Sequence, residues 1–217
     1  KPGQAPDWLL GTIHLTDPRV TDLPQQARAA YDGAKTIIVE SDEILDQQKA
    51  AAKLFAKPDL MMFTDSKSLT DYLSEDDRKV LEKGLMARGI PLMSVNKMKP
   101  YIVSSMVSLS SCELSRKAKG LPFLDMKLAV EGQKSGKQVR GVETLAEQIE
   151  AMASLPMDFH VRALVSATRY PDYTTDMMET TLQLYLDGEI GLVFPVGAYF
   201  APEKNAKDFK DMAMFEE

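Results

Sequence analysis

Three residues able to bind a cation or move a proton stand far apart in the chain, each closing a short apolar run. Trp8-Leu9-Leu10-Gly11-Thr12-Ile13 stops at His14, and Lys35-Thr36-Ile37-Ile38-Val39 stops at Glu40. Lys137-Gln138-Val139-Arg140-Gly141-Val142 stops at Glu143. One imidazole and two carboxylates suit a divalent metal with open positions. Such a metal acidifies water and polarises a carbonyl, and a carboxylate left off it can serve as general base. Each residue also has a plainer reading. His14 fits a buried imidazole donating to a backbone carbonyl. Glu40 fits a cap on the following helix, and Glu143, beside Thr144, fits a helix start where acids are favoured. The repeated placement at three strand ends is what favours a shared site.

Those three runs are short and β-prone, so they are expected as strands. The second is β-branched throughout, as in a parallel strand buried on both faces. Strands joined by helical crossovers run parallel, so their C-terminal ends share one sheet edge, where open α/β folds bind ligands. Between them the pattern predicts helices at 24–31 and 74–88. The second opens on Ser74-Glu75-Asp76-Asp77 and closes at Gly89, with Pro91 beyond. A central helix is predicted over 98–119, its apolar face made by Met98, Tyr101, Ile102, Met106, Leu109 and Cys112 and closed by Gly120. Further helices are predicted at 124–135, ended by Gly136, then at 144–154, 157–169 and 172–186. The stretch 191–199 is open between states, and 203–217 has weak helical character. The expectation is an α/β fold with a central, mostly parallel sheet and helical crossovers. It forms one domain over 1–217 with a helical insertion at 45–118.

The composition excludes several classes. At 217 residues, 44% hydrophobic and 27% charged, the chain is neither disordered nor fibrous. Its net charge of -6 argues against a nucleic-acid partner, which needs clustered Lys and Arg. No segment reaches the roughly 18 to 20 apolar residues of a membrane span. The chain starts at Lys1, not Met, so an upstream segment is expected to have been removed. Cys112 is the only cysteine, which excludes an intramolecular disulfide and a thiolate zinc site, and it is expected as a small core residue. The 13 methionines, Met61-Met62 among them, read as core filling. His160, on the predicted helix 157–169, is expected at the surface. Asp42 and Glu43 read as solvated first-turn acids, and Lys97-Met98-Lys99-Pro100 as a solvated turn. Asp125 either orients a ligand or caps a helix.

An ordered set of segments resembles the TraB/GumN/Tiki family. Leu9-Leu10-Gly11-Thr12-Ile13-His14 with Asp17-Pro18-Arg19-Val20 is similar to its first Gly-x-x-His motif. Thr36-Ile37-Ile38-Val39-Glu40 resembles its second strand with the acidic end, and Met98-Lys99-Pro100-Tyr101 its Met-Lys-Pro-aromatic step. Leu124-Asp125, then Gly136-Lys137 and Gly141-Val142-Glu143-Thr144 with Glu147-Gln148, resemble its Gly-Leu-Glu-Thr segment. The resemblance covers nearly the whole chain. It implies an erythromycin-esterase-like and ChaN-like fold and a metal-dependent hydrolase. In the Tiki branch it implies a protease trimming the amino terminus of Wnt proteins, with Mn²⁺ or Co²⁺ in preference to Zn²⁺. Gly11, His14, Glu40 and Glu143 match its motif positions, and bacterial members are mostly extracytoplasmic. The family's second Gly-x-x-His motif, near its C-terminus, has no counterpart here. The chain is therefore expected to be a fragment lacking the last strand and helix, with the family's first strand upstream of Lys1. Its site is expected to be incomplete or completed by another chain.

The expected function is hydrolysis of a peptide or protein substrate, with His14 and one of Glu40 and Glu143 as ligands and the other glutamate as base. A homo-oligomer is compatible with this, and a periplasmic or secreted location is expected. Two alternatives stand beside it. One is a metal-free, esterase-like hydrolase using His14 as base. The other is a non-catalytic signalling or haem-binding protein.

Overall fold

The structure, a computed structural model, describes residues 6–200. The helical character expected over 203–217 lies outside the described residues. The helices are, in chain order, α1 Pro18–Thr21, α2 Gln25–Gly33, α3 Gln47–Phe55, α4 Glu75–Met86, α5 Leu92–Val95 and α6 Pro100–Val107. They continue with α7 Ser111–Ala118, α8 Leu124–Lys134, α9 Leu145–Ala153, α10 Met157–Arg169, α11 Pro171–Leu186 and α12 Val193–Phe200. Two strands, β1 Thr36–Val39 and β2 Gln138–Gly141, pair in parallel.

The chain divides into two compact units. One is built from the described part of Lys1–Gln47 with Cys112–Thr144. It holds the sheet, with Thr36 opposite Gln138 and Val39 opposite Gly141. Ile37 and Val39 point to one face, where Ala129 of α8 meets them, and Tyr31 and Val139 pack around. Ile38, pointing the other way in the strand alternation, is 65% exposed, so β1 is covered on one face and not on both, the burial that its β-branched run predicts. This core is small.

The other unit takes Gln48–Ser111 with the described part of Leu145–Glu217. Its core joins Phe63, Leu69, Leu81, Leu85, Leu92, Val95, Val103, Val107 and Leu164. α10 packs on α4 and α6. Ser74 caps α4 by accepting from the Asp77 N–H, and Gly89 and Gly136 end their helices with positive φ, as their positions in the sequence predict.

Four further expectations are corrected. The run Trp8–Ile13 forms no strand: among the described residues the sheet has two strands, and Trp8, Leu9 and Leu10 are exposed. A strand exists only through a neighbour, and β propensity is overridden where no ladder partner is available. The helix expected over 98–119 is broken at Ser108-Leu109-Ser110 into α6 and α7. The Ser108 hydroxyl donates to the Ser104 carbonyl, and the Arg88 guanidinium donates to that of Val107, so the end of α6 finds donors outside a helical ladder. The break changes which residues of α7 face inward. Cys112 is exposed, contrary to its expected place in the core, and Glu113 is fully buried. His160 is buried, not superficial, because it shares the inward face of α10 with Leu164 and Thr168 at helical spacing.

Candidate metal centre

The parallel pairing of β1 and β2 decides where Glu40 and Glu143 go. Both strands end at the same edge, and the chain beyond β2 stays attached to the chain beyond β1. The Val142 N–H donates to the carbonyls of Val39 and Glu40, each at 3.1 Å, and the Glu143 N–H to that of Glu40 at 3.0 Å. Gly141 makes this approach feasible, since a Cβ there would lie 2.6 Å from the Asp42 nitrogen.

Asp125 comes from the first turn of α8, the helix that covers the sheet. It is only 7% exposed. Its Oδ1 accepts from the Thr12 hydroxyl at 2.8 Å, which fixes the residue two before His14. Its Oδ2 is buried without a hydrogen-bond partner. His14 Nε2 stands 3.6 Å from that oxygen and 3.4 Å from Glu40 Oε2, and the His14 ring lies 4.9 Å from the ring of Phe123. One ligand atom from each of His14, Glu40 and Asp125 falls within 4.8 Å of the others.

The structure therefore gathers His14 and Glu40, and it moves Asp125 from a supporting position into the cluster itself. Glu143 is held at the same edge by its backbone, but its exposed carboxylate is not one of the three clustered groups. At Gly11 neither a positive φ nor crowding requires glycine, for nothing lies within 4 Å of the place a Cβ would take.

The donor set fits a divalent cation. A buried carboxylate oxygen without a donor costs on the order of 1–3 kcal/mol, and a cation between Asp125, Glu40 and His14 would answer that deficit. His14 and Glu40 are about half exposed, so the cluster opens to water.

The chain between His14 and α1 is fixed by charges that the sequence pattern did not single out. Glu113 on α7 accepts the Thr16 N–H at 2.8 Å and Arg116 Nη2 at 2.9 Å. Arg116 Nε donates to the Thr16 hydroxyl at 3.2 Å, and its Nη2 reaches 3.4 Å from Asp17 Oδ2. Asp17 caps α1, and Arg19, hydrogen-bonded to it, holds its carboxyl below the usual range. The only signal in the sequence was the three-residue spacing of Glu113 and Arg116, which any exposed helical ion pair also has.

In the other unit His160 approaches the Met152 carbonyl at 3.0 Å and meets the Tyr101 ring edge-on at 4.9 Å. Burial pushes its imidazole below the ordinary value. Lys97 donates to the carbonyls of Asp65 and Lys67, and Met62 bridges Met98, so those residues fasten a turn.

The family model described as TraB/PrgY/gumN family matches residues 1–216. No curated protein and no solved structure matches the chain.

Proposed function

The chain belongs to the TraB/PrgY/gumN family, and from that premise we propose that it is a divalent-metal-dependent hydrolase of the peptidase type, with His14, Glu40 and Asp125 holding the cation. The observation that carries this reading is the convergence of one imidazole and two carboxylates within 4.8 Å, one of them through a buried oxygen with no hydrogen bond. A cation bound there supplies Lewis acidity, which lowers the pKa of water and polarises a scissile carbonyl. One imidazole with two carboxylates accepts Mn²⁺, Co²⁺, Zn²⁺ or Fe²⁺, and the preference for Mn²⁺ or Co²⁺ over Zn²⁺ rests on the family resemblance alone.

The protein's own residues divide the work. Asp125, fixed by Thr12, anchors the buried side of the cluster. Glu40 and His14 form its open side, where a peptide reaches it from solvent. Phe123 packs against the imidazole and limits its rotation. Glu143, tethered beside Glu40, is the candidate proton acceptor for the attacking water. The erythromycin-esterase-like and ChaN-like fold and an extracytoplasmic location belong to the same proposal, on the strength of the resemblance alone.

The test is Co²⁺ titration by calorimetry, followed by peptide-library turnover of the loaded protein. Stoichiometric binding in the wild type, lost in His14→Ala and in Asp125→Ala, is the expected result. Glu143→Gln should retain Co²⁺ and lose turnover. Equal Co²⁺ binding by wild type and His14→Ala would sink the reading. Turnover that survives exhaustive chelation would transfer it to His14 acting as base without a metal, a reading favoured by the two carboxylates that flank the imidazole.

A further inference from the structure

His14 sits on a segment with no ladder to hold it, since Trp8–Ile13 is not a strand. Its place must come from elsewhere. On one side the Thr12 hydroxyl is tied to Asp125. On the other, the backbone N–H of Thr16 ends on a carboxylate with no exposed surface, that of Glu113. Burying an anion that completely is unfavourable unless it is paired and hydrogen-bonded. Glu113 meets that demand by gripping the segment two residues past His14 with one oxygen and Arg116 with the other. Arg116 adds a bond to the Thr16 hydroxyl and a contact to Asp17.

We propose that Glu113, with Arg116, is the positioning device for His14: the buried pair on α7 clamps Thr16 and so sets the imidazole against Glu40, Asp125 and Phe123. This rests on the proposed metal reading only in that the reaction uses His14. The clamp itself has a readout that needs no metal. The Phe123 ring, 4.9 Å from the imidazole, shifts the proton resonances of His14 by its ring current. The chain has two histidines; His160 lies in the other unit and reports the fold of that unit, while the amide signals of Ile37 and Val139, paired in the parallel sheet, report that the unit carrying His14 persists.

The experiment records the imidazole carbon–proton correlations, the Ile37 and Val139 amide signals and the Co²⁺ affinity of the whole chain for wild type, Glu113→Ala and Glu113→Gln, with His14→Ala used only for assignment. In Glu113→Ala the His160, Ile37 and Val139 signals should stay, the His14 signal should move toward its random-coil position, and Co²⁺ affinity should fall about tenfold or more. Glu113→Gln keeps an acceptor for the Thr16 N–H and loses the one for Arg116, so it should stand between the two. A folded Glu113→Ala with His14 in its wild-type position overturns the proposal. If wild type binds no Co²⁺, the metal reading fails, and the His14 signal still decides the clamp. If Glu113→Ala does not fold, Glu113→Gln decides: a His14 signal displaced toward its random-coil position supports the clamp, and one at its wild-type position refutes it.

Discussion

The two units spend their interiors differently. The helical unit buries leucine and valine around α10, with Phe63, Leu69, Leu81, Leu85 and Leu164 in one cluster. The sheet unit buries a core cluster of Ile37, Val39 and Ala129, and places Thr16, Asp17, Glu113 and Asp125 inside as well. Apolar burial stabilises in proportion to area, whereas buried polar groups contribute little net stability and define geometry. The lesson is a division of labour. Stability is expected to be concentrated in the helical unit, and chemistry where carboxylates are buried against that general tendency.

The largest expected effect probes the stable side. Leu81→Ala removes a fully buried side chain and should cost about 2–5 kcal/mol of unfolding free energy in a denaturant titration. Co²⁺ affinity of the protein that remains folded should be unchanged. A parallel loss of affinity would break the division.

Next comes Asp125→Asn, which keeps an acceptor for Thr12 and removes the charge. Calorimetry should show Co²⁺ affinity reduced on the order of 10–100-fold, while thermal unfolding shifts little. A large loss of stability with affinity intact would mean that Asp125 is structural.

Ser74→Ala deletes the cap of α4 and should cost about 1 kcal/mol, again without touching the metal site. An unchanged unfolding midpoint would show that this helix end contributes nothing to the stable unit.

The last prediction concerns pH. His160 has its pKa lowered by burial, so the folded state favours the neutral ring. As pH falls below the ordinary value of 6.5, the unfolded chain takes up the proton first, and stability decreases until the folded imidazole protonates as well. Stability of the helical unit should thus be complete above that value and decline on acidification. His160→Leu should flatten the slope, and an identical pH profile would refute the assignment.

Much of this architecture was legible one element at a time. β-branching marked β1, Ser74 and Gly89 bracketed α4, and Gly136 ended α8 before β2. His14 and Glu40 were legible as candidates because each closes an apolar run. The misreadings share one cause. Trp8–Ile13 has strand-like residues but pairs with no strand among the described residues, and Cys112 lies on an apolar stripe that holds only if the helix runs unbroken through Ser108. His160 was judged by its polarity, although its spacing from Leu164 and Thr168 already placed it on the buried face of α10.

The sequence by itself determined the boundaries of most helices, two of the three expected strands and the family. It also supplied an imidazole and a carboxylate that end up together, because propensity, capping and motif order are written along the chain. Only the tertiary structure decided that Asp125, not Glu143, completes the cluster, and that Glu113 rather than a β ladder holds the segment carrying His14. Those outcomes depend on which polar groups find partners across about a hundred residues of chain. Local pattern carries no record of such pairing: a buried carboxylate is tolerated only where folding has brought a donor or a cation to it.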